Sequence, residues 1–551
     1  MLHRRGVSAL RAGDAAAAER WIRAALAAAP DWPVALASLG SAYAAQGRHR
    51  EALAAFDRAL ALAPDLPAGA YNRANALGAL GRHAEAIAGY DQALARDPHD
   101  AEALCNRAAA AQALGDLDAA LAGYARALAL RPDLVPAREN LGLARLAQGR
   151  FALARQEFEA ALALASDRAS LHAHLGLALL ALDQPEAARA ACARAVALRP
   201  DFAGGWNGLG EALLAMSQLA DATASLDRAV ALAPDEAQFR FNRALVRLTA
   251  GDYAAGWPEY EWRKRKARSP SGNRAFARPL WLGTPALAGR TILLHGEQGQ
   301  GDMIQFCRFA RPVRGLGARV KLAVPASLLR LVASLDPAIE PVPLEAPPPE
   351  FDVHCPLHSL PLALGLTRPG DIPDAQGYLA PPPASRAAWA ARLGPAARPR
   401  IGLAWSGNPA FPGDHQRSIA FARLRPLFAT DAEFHCLQKE IRARDVADVA
   451  RTPQLVRHDG ALADFAETAG LIAALDLVIA TCSSVAHLAG AMGRPVWILL
   501  SANADWRWLR GRDDSPWYAS ARLFRQDRHG DWAAPVARLG AALAAWRAAR
   551  A

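Results

Sequence analysis

A chain of 551 residues is longer than one hydrophobic core supports, so two or three domains are expected; its 52% hydrophobic content, with mean hydropathy near zero, excludes a fibrous or disordered polymer. The formal charge of +10 comes mostly from Arg scattered through Ala-rich segments, so no nucleic-acid partner is expected, and no apolar run is long enough for a transmembrane segment. Six cysteines (Cys105, Cys192, Cys307, Cys355, Cys436, Cys482) lack paired spacing, which argues against a disulfide framework and a zinc site and fits a cytoplasmic location.

Residues 1–30 carry basic side chains without a continuous apolar core or cleavage-like site, and read as amphipathic helix. From there a 34-residue period governs the chain. Prolines recur at Pro30, Pro64, Pro98, Pro132, Pro200 and Pro234, with Ser166 in the remaining slot. Turn glycines follow at Gly13, Gly47, Gly81, Gly115, Gly149 and Gly251, with Asp183 and Ser217 in the same register. Small residues (Ala18, Ala52, Ala86, Ala120, Ala154, Ala188, Ala222) precede bulkier ones at Phe56, Tyr90, Tyr124, Phe158, Cys192 and Leu226. Glycine supplies a left-handed turn, alanine lets two helices approach, the larger side chain fills the space beside them, and proline closes the unit. Such hairpins bury their apolar faces only by stacking, so an α solenoid is expected over residues 1–264, with a first unit that looks truncated. The pattern resembles the tetratricopeptide repeat, which implies a protein or peptide partner on the concave surface.

Asn72, Asn106, Asn140 and Asn242 share one register position on the first helices, with Ser38 and His174 in equivalent slots and Gly208 breaking the row. An amide ladder there can clamp an extended peptide, since each amide both donates and accepts. The plainer alternative is that the amides cap or bridge neighbouring helices.

Past Tyr260 the period is lost, and the basic run Arg263–Lys266 and the polar stretch 269–274 read as a solvated linker. Short apolar strands then alternate with helices: 291–294, 320–324, 401–405, 433–437, 475–480 and 496–500. This is α/β grammar, with parallel sheets covered by helices. A Pro/Ala-rich segment, 381–398, divides it into two Rossmann-like halves facing across a cleft. The glycines at 296, 299 and 301 make a tight strand-to-helix turn but lack dinucleotide spacing. Asp302 beside that turn is a candidate general base, or an N-cap. Ser483 and Ser484 stand where a strand runs into a helix N-terminus, a place suited to phosphate, with Arg417 and Lys439 as added positive charge. His354 and His358 read as core or loop histidines, and His487 as either a core histidine or a group at the phosphate site. Trp506, Trp508, Trp517 and Tyr518 either stack on a ligand or pack the final helix back across both halves.

From about Trp281 to Gln526 the chain resembles bacterial two-Rossmann (GT-B) glycosyltransferases that carry N-terminal tetratricopeptide repeats. The shared phrases are residues 296–306 (GEQGQGDMIQF), 351–361 (FDVHCPLHSLP), 464–469 (DFAETA), 484–491 (SVAHLAGA) and 514–518 (DSPWY). The catalytic part is similar to lipopolysaccharide heptosyltransferases, and the layout to O-linked N-acetylglucosamine transferases. The resemblance implies a repeat solenoid at 1–264, an acceptor-side lobe at 265–385 and a nucleotide-sugar lobe with a final helix at 386–551. It implies an inverting glycosyltransferase with no metal and no cofactor beyond its nucleotide-sugar substrate. Asp302 is then the base, and Arg417, Lys439, Ser483, Ser484 and His487 bind the donor. Cys482 departs from the pattern, standing where an acid contacts the donor in heptosyltransferase-like relatives. Two other functions stay open: a non-catalytic repeat scaffold with a decayed transferase fold, and a lipopolysaccharide or polysaccharide transferase.

Overall fold

The 34-residue period is a run of antiparallel helical hairpins in the computed structural model, which describes residues 1–266, 274, 276–411 and 413–550. Six hairpins, from Leu2–Arg11 with Ala15–Ala28 to Ala169–Ala181 with Pro185–Leu198, make up one unit, Met1–Pro200. Two more, Ala203–Ala215 with Leu219–Leu232 and Ala237–Ala250 with Tyr253–Tyr260, belong with the α/β region to a second unit, Asp201–Ala551. The hairpin turn is left-handed throughout. Its six glycines have φ between +73° and +87°, and Asp183 (+60°) and Ser217 (+61°) adopt the same backbone without glycine's freedom.

Helix crossings need more room than alanine leaves. A Cβ on Gly40 or Gly142 would come within 2.7 or 2.5 Å of the Phe56 or Phe158 ring. Between these hairpins Ala74 and Ala108 take that slot, and the omitted Cβ moves to the facing helix at Gly89 and Gly123. Close approach is thus kept by leaving out one methyl on either partner. Arg73, Arg107 and Arg243 each pair with the aspartate 16 residues earlier (Asp57, Asp91, Asp227), tying one hairpin to the next.

In the second unit, β1 (Thr291–His295), β2 (Arg319–Val324), β3 (Ile339–Pro343) and β4 (Val353–Pro356) form a parallel sheet ordered β3-β2-β1-β4. A second parallel sheet joins β5 (Arg400–Ala404), β6 (Glu433–Cys436), β7 (Leu455–Val456), β8 (Leu477–Thr481), β9 (Val496–Leu500) and β10 (Ala521–Arg525) in the order β10-β9-β8-β5-β6-β7. All six strands expected from sequence are present. One buried cluster spans both sheets and takes in Trp257 and Tyr260 of the last hairpin.

Three expectations change. The dividing segment 381–398 is built largely of a helix, Pro383–Leu393, whose Trp389 packs at Gly470 on the helix Phe465–Ala473, so the expected boundary at 385/386 falls inside a packed element. The final helix, Ala533–Ala548, stays on the second sheet, where Val536, Leu539 and Leu543 cluster with Leu424 and Leu427. The basic run is partly core. Arg263 is 4% exposed, and it bonds Glu297 (2.9 Å), Glu261 (2.6 Å) and Ser359 (2.8 Å). Residues 269–273 of the expected linker lie outside the described residues.

Candidate functional site

Each sheet reverses its winding once, between β1 and β4 in the first and between β5 and β8 in the second. Loops leaving such neighbouring strands diverge, and ligands of parallel sheets bind in the crevice beyond the strand ends. The loop after β1 holds Glu297 and leads into the helix Gln300–Phe306, and β4 is followed by His358. Ser406 follows β5, and β8 leads through Cys482 and Ser483 into the helix Ser484–Ala491. The two crevices adjoin. A Cβ on Gly301 would lie 3.3 Å from Ser484 Cα and 3.1 Å from His487 Cδ2, so the two helix N-termini abut.

Asp302, third in its helix, accepts the Gly299 amide (2.9 Å), so the capping role is filled. Its other oxygen pairs with Arg507 and stands 3.7 Å from His358 Nε2. Burial alone would raise its pKa, but Arg507 and the neighbouring imidazoles hold it well below the usual carboxylate range. Burial acts the same way on Glu297, where His358, with Nδ1 at 3.3 Å, and Arg263 bring the pKa down to about 2. His358 thus lies between two carboxylates rather than among core side chains alone. A row of ionisable groups, Arg263–Glu297–His358–Asp302–Arg507, runs through the interior from the end of the last hairpin and finishes on the exposed Asp505 in the loop after β9.

On the opposite side, Ser483 begins its helix, and the hydroxyls of Ser483 and Thr481 are buried with no hydrogen-bond partner among the described residues. Arg417 reaches this turn: Nη1 donates to the Cys482 carbonyl (3.0 Å) and Nε to Asp414 (3.2 Å). His487 bonds the Tyr518 hydroxyl through Nδ1 (2.9 Å) and stacks on Trp508; burial, then Arg507, pushes its pKa down to about 3, so the ring is neutral. The Trp508 indole N–H meets Cys482 Sγ (3.1 Å), and Trp506, Trp508, Trp517 and Tyr518 are all buried. Asp302, Arg417, Ser483, Ser484 and His487 therefore share one neighbourhood. Lys439 does not join it: the side chain is exposed, and its ammonium donates to the Ala463 carbonyl (3.4 Å).

The asparagine register bridges helices. Ser38, Asn106, Asn140, His174 and Asn242 each meet the residue 35 positions earlier on the preceding first helix: His3, Tyr71, Cys105, Glu139 and Asn207. Asn242 is 5% exposed, donates to Asn207 and Glu211, and accepts from Gln238, so it has nothing left for a peptide. Asn106 donates to both Tyr71 and Asn75. At Asn242 the amide is spent inside the array, and at Asn106 both N–H donors are, which speaks for the bridging alternative at these two positions. Asn72, half-buried, makes no side-chain hydrogen bond among the described residues.

Glu297, Arg507 and Asp414 were not singled out from sequence, and His358 was read only as a core or loop histidine. Glu297 lies inside the glycine-rich phrase and had a local signal. Arg507 and Asp302 are 205 residues apart, a pairing with no local signature. Among the described residues no group of three or more His, Cys, Asp or Glu is placed to hold a metal ion, and no helix is long and apolar enough to cross a membrane.

Tetratricopeptide-repeat models match residues 33–66, 71–135, 139–201 and 207–260. The protein FlbA of Caulobacter vibrioides is 28% identical over 338 residues, covering 56% of this chain and 55% of FlbA, so the chain spans about half the length of that relative. Among solved structures, a tetratricopeptide repeat protein from Parabacteroides merdae is 20% identical, with a TM-score of 0.38, over 44% of this chain and 97% of that one. YrrB, described as having an unusual peptide-binding site, is 22% identical with a TM-score of 0.26, over 31% of this chain and 89% of its own. The chain carries tetratricopeptide repeats followed by an α/β region with two parallel sheets.

Proposed function

We propose that the α/β region is a glycosyltransferase of GT-B arrangement that moves a sugar from a nucleotide-sugar donor to a protein held by the repeats. The observation that carries this reading is the start of the helix Ser484–Ala491. Its free amides, the unspent hydroxyls of Thr481 and Ser483 and the nearby Arg417 guanidinium suit a diphosphate, at the point where the second sheet reverses. The repeats favour a protein acceptor, since stacked helical hairpins present a long surface for one.

In this reading the acceptor hydroxyl attacks the anomeric carbon as the bond to the diphosphate breaks. The nucleoside diphosphate leaves, and direct displacement inverts the centre. Helix amides and Arg417 stabilise the departing charge. Asp302 receives the acceptor proton. Its pairing with Arg507 makes it a weak base at rest. The incoming diphosphate competes for that guanidinium, and the carboxylate's proton affinity rises as its partner is drawn away. Lys439 would have to leave the Ala463 carbonyl to take part.

The same ion pair favours a second reading, a scaffold whose former base is locked in structure. A thermal-shift screen against nucleotide sugars separates the two. A donor at about a hundred times its Kd stabilises by roughly 2.7 kcal/mol. If no nucleotide sugar shifts the melting temperature, the transferase reading is finished. Binding with sugar transfer that Asp302→Asn abolishes supports it; binding without any transfer supports the scaffold. Modified saccharide with no modified protein would point to a polysaccharide or lipopolysaccharide acceptor.

A further inference from the structure

Several buried or half-buried arginines in the second unit are matched by carboxylates. Arg263 has Glu261 and Glu297, Arg507 has Asp302 and Asp505, and Arg243 has Asp227 and Glu259. Arg308, fully buried, lies over the rings of Tyr378, Trp517 and Tyr518 and donates to backbone carbonyls. Arg510 and Arg525, side by side, have among the described residues neither a carboxylate of their own nor such a stack of rings.

Arg510 follows the loop after β9, and Arg525 ends β10. Both are partly buried, and their guanidiniums converge on one backbone oxygen, the Leu509 carbonyl, at 3.3 and 2.8 Å. The rest of their partners are neutral. Arg510 donates to the Ala504 carbonyl (2.8 Å), Asn503 (3.2 Å) and the Ser217 hydroxyl (3.1 Å), and Arg525 to the Trp508 carbonyl (3.2 Å). Nη1 of Arg525 is buried with no hydrogen-bond partner among the described residues. Asp505, the carboxylate that acts on Arg510 through space, is already paired with Arg507 (2.7 Å). Leu509 itself has φ +48° and ψ −164°, a strained backbone for a residue with a side chain, and such strain gathers at ligand sites. Burial pushes both guanidiniums down to about 10, with Arg510 adding to the effect on Arg525. Two like charges converging in a partly buried place, with a donor left over, lack a negative group.

We propose that Arg510 and Arg525 form an oxyanion-binding site at the Leu509 turn, built for a phosphate or carboxylate group of a ligand. Planar guanidiniums suit such groups because paired N–H donors match two oxygens. The site uses neither Ser483 nor Arg417, and it does not rest on the transferase reading.

The test uses the full chain. Its melting temperature is followed as chloride is replaced, at constant ionic strength, by inorganic phosphate in one series and by malonate in another. Crystals are soaked in selenate, whose anomalous signal places the anion. The expected result is a saturable rise in melting temperature, with selenate between the two guanidiniums. Arg525→Gln should raise the half-saturating concentration roughly tenfold, the scale of one lost charge-assisted contact. Arg417→Gln should leave the response unchanged. A response to phosphate alone assigns a phosphate-bearing ligand, and one to malonate alone a carboxylate. The proposal is overturned if neither anion acts, if Arg510→Gln/Arg525→Gln responds like wild type, or if Arg417→Gln removes the response instead. Should the Arg525 variant not fold, wild-type crystals without selenate at this pair overturn it on their own.

Discussion

The two units keep their charges in different places. In Met1–Pro200 the ion pairs are largely at the surface, such as Arg58–Asp31 and Arg96–Asp65, over an interior of alanines interleaved with leucines and aromatic side chains. In Asp201–Ala551 charged and titratable groups run through the interior. Besides the row from Arg263 to Asp505, two histidine pairs are partly or fully buried, His295–His354 (3.2 Å) and His435–His458 (3.1 Å). The first arrangement draws its stability from short-range packing repeated many times. The second rests on single contacts between residues far apart in sequence, each costly to break.

The largest expected consequence is at Arg263. Arg263→Met leaves Glu297 buried without its guanidinium, and such a loss costs about 3 to 5 kcal/mol. Arg96→Met, at an exposed pair of the repeats, should change stability little. Urea denaturation with peptide-resolved hydrogen exchange checks both, and the Arg263 loss should be confined to residues 201–551. The double change Arg263→Met/Glu297→Met should recover much of it, because both charges then leave the interior. If the two single variants prove equally mild, the contrast between the units is wrong.

The same contrast explains what the sequence could reveal. Hairpin turns, crossings and prolines are set by neighbours a few residues away and repeat in register, so every hairpin was legible, down to the left-handed backbone at Asp183 and Ser217. Central strands were legible as apolar runs. The four strands not anticipated, β3, β4, β7 and β10, are the outer strands of their sheets. Edges are half-covered, and β3 and β4 carry prolines, so no continuous apolar run marks them. The Ser483–Ser484 turn and Asp302 could be found because strand-to-helix turns have local grammar. The partner of Asp302, Arg507, could not, since a pair bridging 205 residues leaves no spacing to read, and His358 was noticed but not its place between two carboxylates. The asparagine row was legible as a row with two possible uses, and only the stacked helices show that Asn106 and Asn242 bond to the preceding unit.

Acid should separate the units next. Burial, then the neighbouring imidazole, pushes His435 down from 6.5 to about 4; burial and Arg392 do the same to His458. A histidine kept neutral by the fold takes up its proton more readily when unfolded. Its contribution is therefore complete above pH 6.5 and is lost as pH falls from 6.5 toward 4. For these well-buried rings the loss is on the order of 2 to 3 kcal/mol. His295 moves in the same direction, so the α/β region should weaken first as pH drops through this window. Hydrogen exchange at pH 7 and pH 5 reads this directly. Equal acceleration in both units would mean that the buried histidines do not set the difference.

The smallest effect isolates the turn itself. Gly115 has φ +87° and open space where a Cβ would stand, so Gly115→Ala meets no clash and pays only for the left-handed backbone, about 1 kcal/mol. Ser217 holds the same register in the second unit, but its hydroxyl accepts from Arg510. Ser217→Gly therefore relieves the backbone while removing a hydrogen bond, and the two should nearly cancel. Thermal unfolding of both variants is sufficient to measure this. A clear gain for Ser217→Gly would show that the Arg510 contact adds nothing to stability, and that this turn is as independent of distant residues as those of the first unit.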